Sequence, residues 1–253
     1  MYNFEEFDKI IQRVDEYKIE PIFSEEKFKR LDRVPDDYVN DRDILELCSN
    51  LIAFSQNSNS ELVDKLIKSG NLFKVFHGFD INEVVKMNPC DVVEQKWDLI
   101  KAMRQQGKIF HIIMLARKIK NIGNLSDILN NNKIPKKIES ISDIDDFWNG
   151  FDELQDILKK NKIPFFQSTT SLLHFLLESG YDCVKPDLVV MRVGKKLGIV
   201  DDVTSDESLR KVVRAIQEYS LNRGLRPSVV DFYFLIDEGQ KWARNFVKKE
   251  YYS

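Results

Sequence analysis

Asp187 is the residue whose surroundings invite chemistry. It follows Lys185-Pro186 and opens a helical stretch that continues Leu188-Val189-Val190-Met191-Arg192-Val193, with Lys195 and Lys196 beyond. A carboxylate held at a helix start can orient or deprotonate a water, or stabilise a developing cation. The same position is also where any aspartate favours the positive end of a helix dipole. On spacing alone that structural role is the stronger reading. Residues 157–196 hold seven basic side chains, Lys159, Lys160, Lys162, Lys185, Arg192, Lys195 and Lys196, against Glu178, Asp182 and Asp187. A stretch of that sign can face a polyanion, although a solvated helical face accounts for the lysines equally well.

Other familiar chemistries are poorly supplied. The three cysteines, Cys48, Cys90 and Cys183, lie far apart, which excludes a disulfide framework, a four-thiolate zinc site and an iron–sulfur cluster. Cys183 stands near Lys185 but has no evident partner base, so it reads as inert. His77, His111 and His174 are scattered, and a multi-histidine metal site is not expected. His111 and His174 lie on apolar helices and read as core or pocket-edge residues. Trp97, Trp148 and Trp242 can stack on a base, but each reads more readily as core. No apolar run approaches the ~20 residues that cross a bilayer. The opening MYNFEEFDKI does not read as a secretory signal, and with so few cysteines the expected location is the cytoplasm.

The elements that must position Asp187 are helical. Of 253 residues only 10 are Gly and 7 Pro, and apolar residues recur with a period near 3.6 while alternating patterns are nearly absent. Helices are expected over 3–18, 25–33, 42–55, 61–68, 80–87, 89–104, 107–121, 144–161, 168–179, 186–197, 205–222 and 227–247. Residues 122–143 read as a loop excursion. Ser60 is expected to cap the fourth helix, Ser168 the one before Asp187, and Ser205 the one after it. The run Val229–Ile236, VVDFYFLI, is ambiguous and can also be a buried strand. Hydrophobic residues at 43% exclude a disordered chain. The net charge of −3 is unusual for a nucleic-acid binder. It conceals an asymmetry, since residues 1–46 carry 14 acids against 8 bases.

The segment from Lys162 to Val200 parses as a tight turn, a helix, a short loop and a second helix. Ile163-Pro164-Phe165-Phe166-Gln167-Ser168-Thr169-Thr170 occupies the turn. Val184-Lys185-Pro186-Asp187-Leu188-Val189-Val190-Met191-Arg192-Val193 follows, with Asp187 18 residues after Thr169. Upstream, Leu51-Ile52-Ala53-Phe54-Ser55-Gln56-Asn57 forms a third element. Together these resemble the helix–hairpin–helix DNA glycosylase superfamily, the endonuclease III and 3-methyladenine DNA glycosylase group. Its hairpin typically reads L-P-G-V-G-x-K/T-T/A, its aspartate segment V-D-T-H-V-x-R-V, and its upstream segment L-x-x-x-x-S-Q. The resemblance covers about Arg42 to Val203.

That resemblance implies an all-α fold of two helical lobes. Residues 1–41 would be an N-terminal helical extension, 42–203 the glycosylase-like core, and 204–253 helices completing the domain. It implies hydrolysis of the N-glycosidic bond of a damaged base in double-stranded DNA, an alkylated purine being the expected substrate. Asp187 would be the catalytic carboxylate, and the resemblance reverses the balance struck on spacing alone. Gln56 would fill the gap left by a flipped base. Lys159, Lys160, Lys162, Lys185 and Arg192 would contact phosphates, with the hairpin residues Gln167, Ser168 and Thr169. No cofactor or metal is implied. The departures are specific. Phe165 and Gln167 replace two hairpin glycines whose lack of a Cβ admits a phosphate to the backbone amides. Thr169 stands where bifunctional members carry an imine-forming lysine, so strand cleavage by that route is not expected. The alternative is a non-catalytic helical binding protein, its acidic N-terminal helices suited to a protein partner.

Overall fold

Helices account for 69% of the chain, and no strand occurs among the described residues, so the protein is all-α. The computed structural model describes residues 3–55, 58–164 and 166–252. In chain order the α-helices are α1 Glu5–Tyr17, α2 Ile22–Leu31, α3 Asp41–Phe54, α4 Ser60–Lys68, α5 Asn71–Val75, α6 Ile81–Val84 and α7 Pro89–Ile100. Then come α8 Gly107–Ile122, α9 Leu125–Asn130, α10 Ile141–Lys160, α11 Thr169–Glu178, α12 Leu188–Lys196, α13 Asp206–Arg223 and α14 Pro227–Asp237. Two compact units result. One comprises Met1–Asp36, Lys133–Phe151 and Thr169–Ser253, the other Asp37–Asn132 and Asp152–Ser168.

The first unit is organised around α14. Its residues Pro227–Phe234 and Ile236 are all buried, and α1, α2, α12 and α13 pack against it. A helix covered on every side has no polar face, which is why VVDFYFLI showed no helical period. Its core joins Val14 and Phe23 to Val229, Phe232, Tyr233 and Ile236. Pro227 opens α14 at an allowed first-turn position. The helix expected over 227–247 stops at Asp237, because Gly239 turns the chain with φ +65°, and Ala243–Phe246 is a separate 3₁₀ turn.

The second unit sets α3 against α8. Both are apolar over most of their circumference, burying Ile44, Leu45 and Cys48 on one and Ile109, Ile112 and Ile113 on the other. Lys108 is buried with them. Its Nζ donates to Ala53 O at 2.9 Å, Ser55 O at 2.7 Å and Ser58 Oγ at 2.6 Å. It thereby satisfies carbonyls at the end of α3 that have no partner within the helix. Burial lowers its pKa to about 8.

Capping follows the expected chemistry with local shifts. Ser205 caps α13 as expected. Asn59, not Ser60, caps α4, accepting from Leu62 N, and the helix begins one residue early. The excursion at 122–143 contains the short helix α9. The helix expected over 89–104 ends at Ile100 and continues as a 3₁₀ turn.

One glycine is fixed by both conformation and space. Gly180 has φ +93°, and a Cβ there would meet Val34 C at 2.7 Å and Val34 O at 2.8 Å. Neither backbone can yield cheaply. Gly180→Ala should therefore cost about 1–3 kcal/mol or more in urea unfolding. A variant as stable as the wild type would show that this close approach does not exist in solution.

Candidate active site

A strap, residues 179–187, carries the chain from the end of α11 to Asp187. Arg226 fixes it. Its guanidinium donates to Asp182 Oδ1 at 2.7 Å, Gly180 O at 2.7 Å, Leu31 O at 3.1 Å and the Arg33 carbonyl. Asp182 Oδ2 accepts from Ile138 N at 2.9 Å. Gln217 donates to Asp182 O at 2.9 Å and accepts from Trp148 Nε1 at 3.0 Å. Trp148 is thus a core residue with its indole N–H satisfied.

At the end of this strap Asp187 is the N-cap of α12, with φ −83° and ψ 179°. It stands one position earlier than the first-turn site expected, and Pro186 precedes the cap. Oδ1 accepts from Val189 N at 2.9 Å and Val190 N at 3.2 Å. Oδ2 takes no hydrogen bond among the described residues, and Asp187 forms no ion pair with Arg192, which is exposed on α12.

Asp187 opens into a cleft of about 550 Å³ within the first unit. Its walls come from α2, α11, the strap and α14. Lys29, Arg30, Arg33 and Lys185 supply positive charge there and Glu26, Asp32, Glu178 and Asp187 negative charge, with Asp231 as a further, buried acid. The cleft is therefore balanced in sign. Arg33 pairs with Glu178 at 2.7 Å. Arg30 donates to Glu26 at 3.0 Å and to Ser228 O at 3.1 Å, and lies 5.0 Å above the Phe232 ring.

Two groups in this cleft titrate abnormally. Asp231, buried in the middle of α14, is raised to about 7, by burial first, with Arg30 opposing and the charge of Asp187 adding to the rise. His174, half-buried on α11, is lowered to about 3 by burial, then by the cations Lys185 and Arg33. Its folded-state value lies below its ordinary 6.5, so the folded protein binds fewer protons between those values. Stability should then be lost as pH falls from about 6.5 towards 3. His174→Gln should flatten that limb of a denaturation series run from pH 7 to pH 4. An unaltered slope would place the acid-sensitive group elsewhere.

Asp187 and Lys185 line one cleft, and Thr169 and Arg192, in the same unit, are not among its lining residues. Lys159, Lys160 and Lys162 are exposed, but they belong to the second unit. Lys159 donates to Gln155 Oε1 at 2.7 Å. Gln167 and Ser168 are exposed just before α11. Thr169 is only 3% exposed, so its side chain is closed to a phosphate, a correction that follows from its place on the packed face of α11. Phe166, in the turn before α11, is fully buried. Gln56 and Phe165 lie outside the described residues. His111 is exposed and is not the core or pocket-edge residue expected. Cys183 is buried beside Leu173 O, its thiol pushed well up by burial, as suits an inert residue.

Sequence reasoning missed Arg30, Arg226 and Asp231. Asp231 had a signal, being the one charged residue inside VVDFYFLI. The two arginines had none that pointed to the cleft, because Arg30 reads as an ordinary i,i+4 partner of Glu26, while its Ser228 and Asp231 contacts and all those of Arg226 are far away in sequence. No protein-family model, no curated protein and no solved structure matches the chain.

Proposed function

We propose that this cleft hydrolyses the N-glycosidic bond of a damaged base in double-stranded DNA, as in base excision repair. The fold would be a two-lobed helix–hairpin–helix glycosylase-like one with a glycine-poor hairpin. One observation carries the reading: Asp187 is anchored through Oδ1 alone, at a helix start, in a cleft large enough for an extruded nucleotide. As the bond from C1′ to the base nitrogen lengthens, positive charge grows on the sugar. The carboxylate stabilises that charge and takes a proton from the attacking water. In a partly dry cleft the attraction exceeds its value in bulk water. The product is an abasic site, with no imine route through Thr169.

The test is single-turnover release of base from duplexes that each carry one lesion, alkylated purines included. Duplex binding should weaken steeply with salt as counterions are released. Replacing Lys159, Lys160 and Lys162 by Glu should lower affinity on all sequences and reduce the salt slope by about one unit per lysine. An unchanged binding curve removes those lysines from the interface.

The sign balance of the cleft favours a second reading, a non-catalytic helical binding protein. Wild-type protein that releases no base from any of several lesions would leave that reading standing.

A further inference from the structure

We infer that Asp231 is a second functional carboxyl group of this cleft, a proton donor to the departing base, and that the base is therefore one that is uncharged while still bonded to the sugar. The inference rests on the glycosidic reading above and adds to it a residue and a substrate class.

Asp231 sits in the middle of the most buried helix of the protein, only 6% exposed, yet it lines the same cleft as Asp187. A carboxylate so placed needs a close cation to remain charged. Its candidate is Arg30, whose Nη1 is 3.5 Å from Asp231 Oδ2. That is the longest of the guanidinium's hydrogen bonds, since Glu26 and the Ser228 carbonyl accept at 3.0 and 3.1 Å. The other charged groups acting on Asp231 are Glu178 from α11 and Lys185 and Asp187 from the strap. α1 also packs on α14, but directs Arg13 and Asp15 to Asp237 and Tyr233 further along the helix. The outcome is a carboxyl group raised to about 7 by burial, next to a second carboxylate. A donor works best when its pKa lies near the working pH.

The protons balance. The bond from C1′ to the base nitrogen breaks, and its electron pair goes to the base. Asp231 gives its proton to that base, which leaves neutral. Water bonds to C1′ and gives a proton to Asp187. Exchange with solvent then returns Asp187 to the carboxylate and Asp231 to the acid. A base that already carries a positive charge, such as 7-methylguanine, departs neutral with no donated proton. A donor therefore serves an uncharged base, which would otherwise leave as an anion. The alkylated purine expected from sequence is the class that needs it least.

The experiment compares wild type with Asp231→Asn in single-turnover release from two duplexes, one carrying hypoxanthine and one carrying 7-methylguanine, between pH 5 and 9. Wild type should release hypoxanthine with a rate that falls above about pH 7, the value to which Asp231 is raised. The variant should lose about 10²-fold on hypoxanthine and lose that alkaline fall, with 7-methylguanine release and duplex affinity unchanged. Its fold should survive, because the amide removes a buried group that is costly to ionise. Equal slowing on both bases would overturn the inference by making Asp231 structural. Release of 7-methylguanine alone by wild type would overturn it while leaving the glycosidic reading intact. Release of neither base would overturn the inference, and the glycosidic reading falls with it only if no other lesion is released either.

Discussion

Asp187→Asn should release base about 10²–10⁴-fold more slowly than wild type while keeping its fold and its affinity for duplex DNA. The separation of effects follows from the geometry. Asp187 Oδ1 caps α12 by accepting from Val189 N and Val190 N. An asparagine carbonyl accepts the same two bonds, and Asn and Asp rank together at this position. Only the negative charge is lost, together with the ability to take a proton. If the residue were a cap and nothing more, the substitution would be silent in every assay. Asp187→Ala provides the contrast. It removes the cap as well and should cost about 1 kcal/mol of stability in addition to activity. An Asn variant as fast as wild type on a lesion that wild type processes would end the catalytic assignment.

Arg226→Met should be the most damaging single change to stability, about 3–5 kcal/mol, read as a shift in the urea midpoint. The guanidinium side chain is 14% exposed and that of its partner Asp182 is 6% exposed, so water screens the pair little. The methionine would leave Asp182 charged and buried, and would release the carbonyls of Leu31, Arg33 and Gly180. A buried ion left alone is costlier than the intact pair was favourable. Asp182→Asn combined with Arg226→Met should recover part of the loss, because no charge is then stranded. Because the strap leads to Asp187, Arg226→Lys should disturb turnover before it unfolds the protein: a lysine cannot span four acceptors. A stability change under about 1 kcal/mol in Arg226→Met would show that the strap is held by other means.

The helical nature of the chain was legible from its period and its scarcity of glycine and proline. The cap at Ser205 was legible too, since it rests on local chemistry. α14 was legible as part of a helix over 227–247, but its run Val229–Ile236 read equally as a buried strand, because burial on all sides erases the pattern on which periodicity depends. The division into units was hidden, since it joins stretches that are distant in sequence and cuts α10 between Phe151 and Asp152. At the site, Asp187 could be found from the residues around it. Asp231 was visible only as an acid in an apolar run, and its partner Arg30 lies 201 residues away. Contacts of that separation leave no mark on a single sequence.

The central position of α14 also bears on how the chain is made. α1 and α2 emerge early from the ribosome, carrying Phe7, Ile10, Val14 and Phe23, which end fully or nearly buried. The helix that covers them begins only at Pro227. At a synthesis rate of about 5–20 residues per second, these side chains wait on the order of ten seconds or more for their partner. Residues 37–132 have no such wait, since most of the second unit is continuous in sequence. The nascent chain should therefore acquire protease resistance over residues 37–132 before it does so in α1 and α2. Until then the exposed face of α1 is a surface for chaperones to hold.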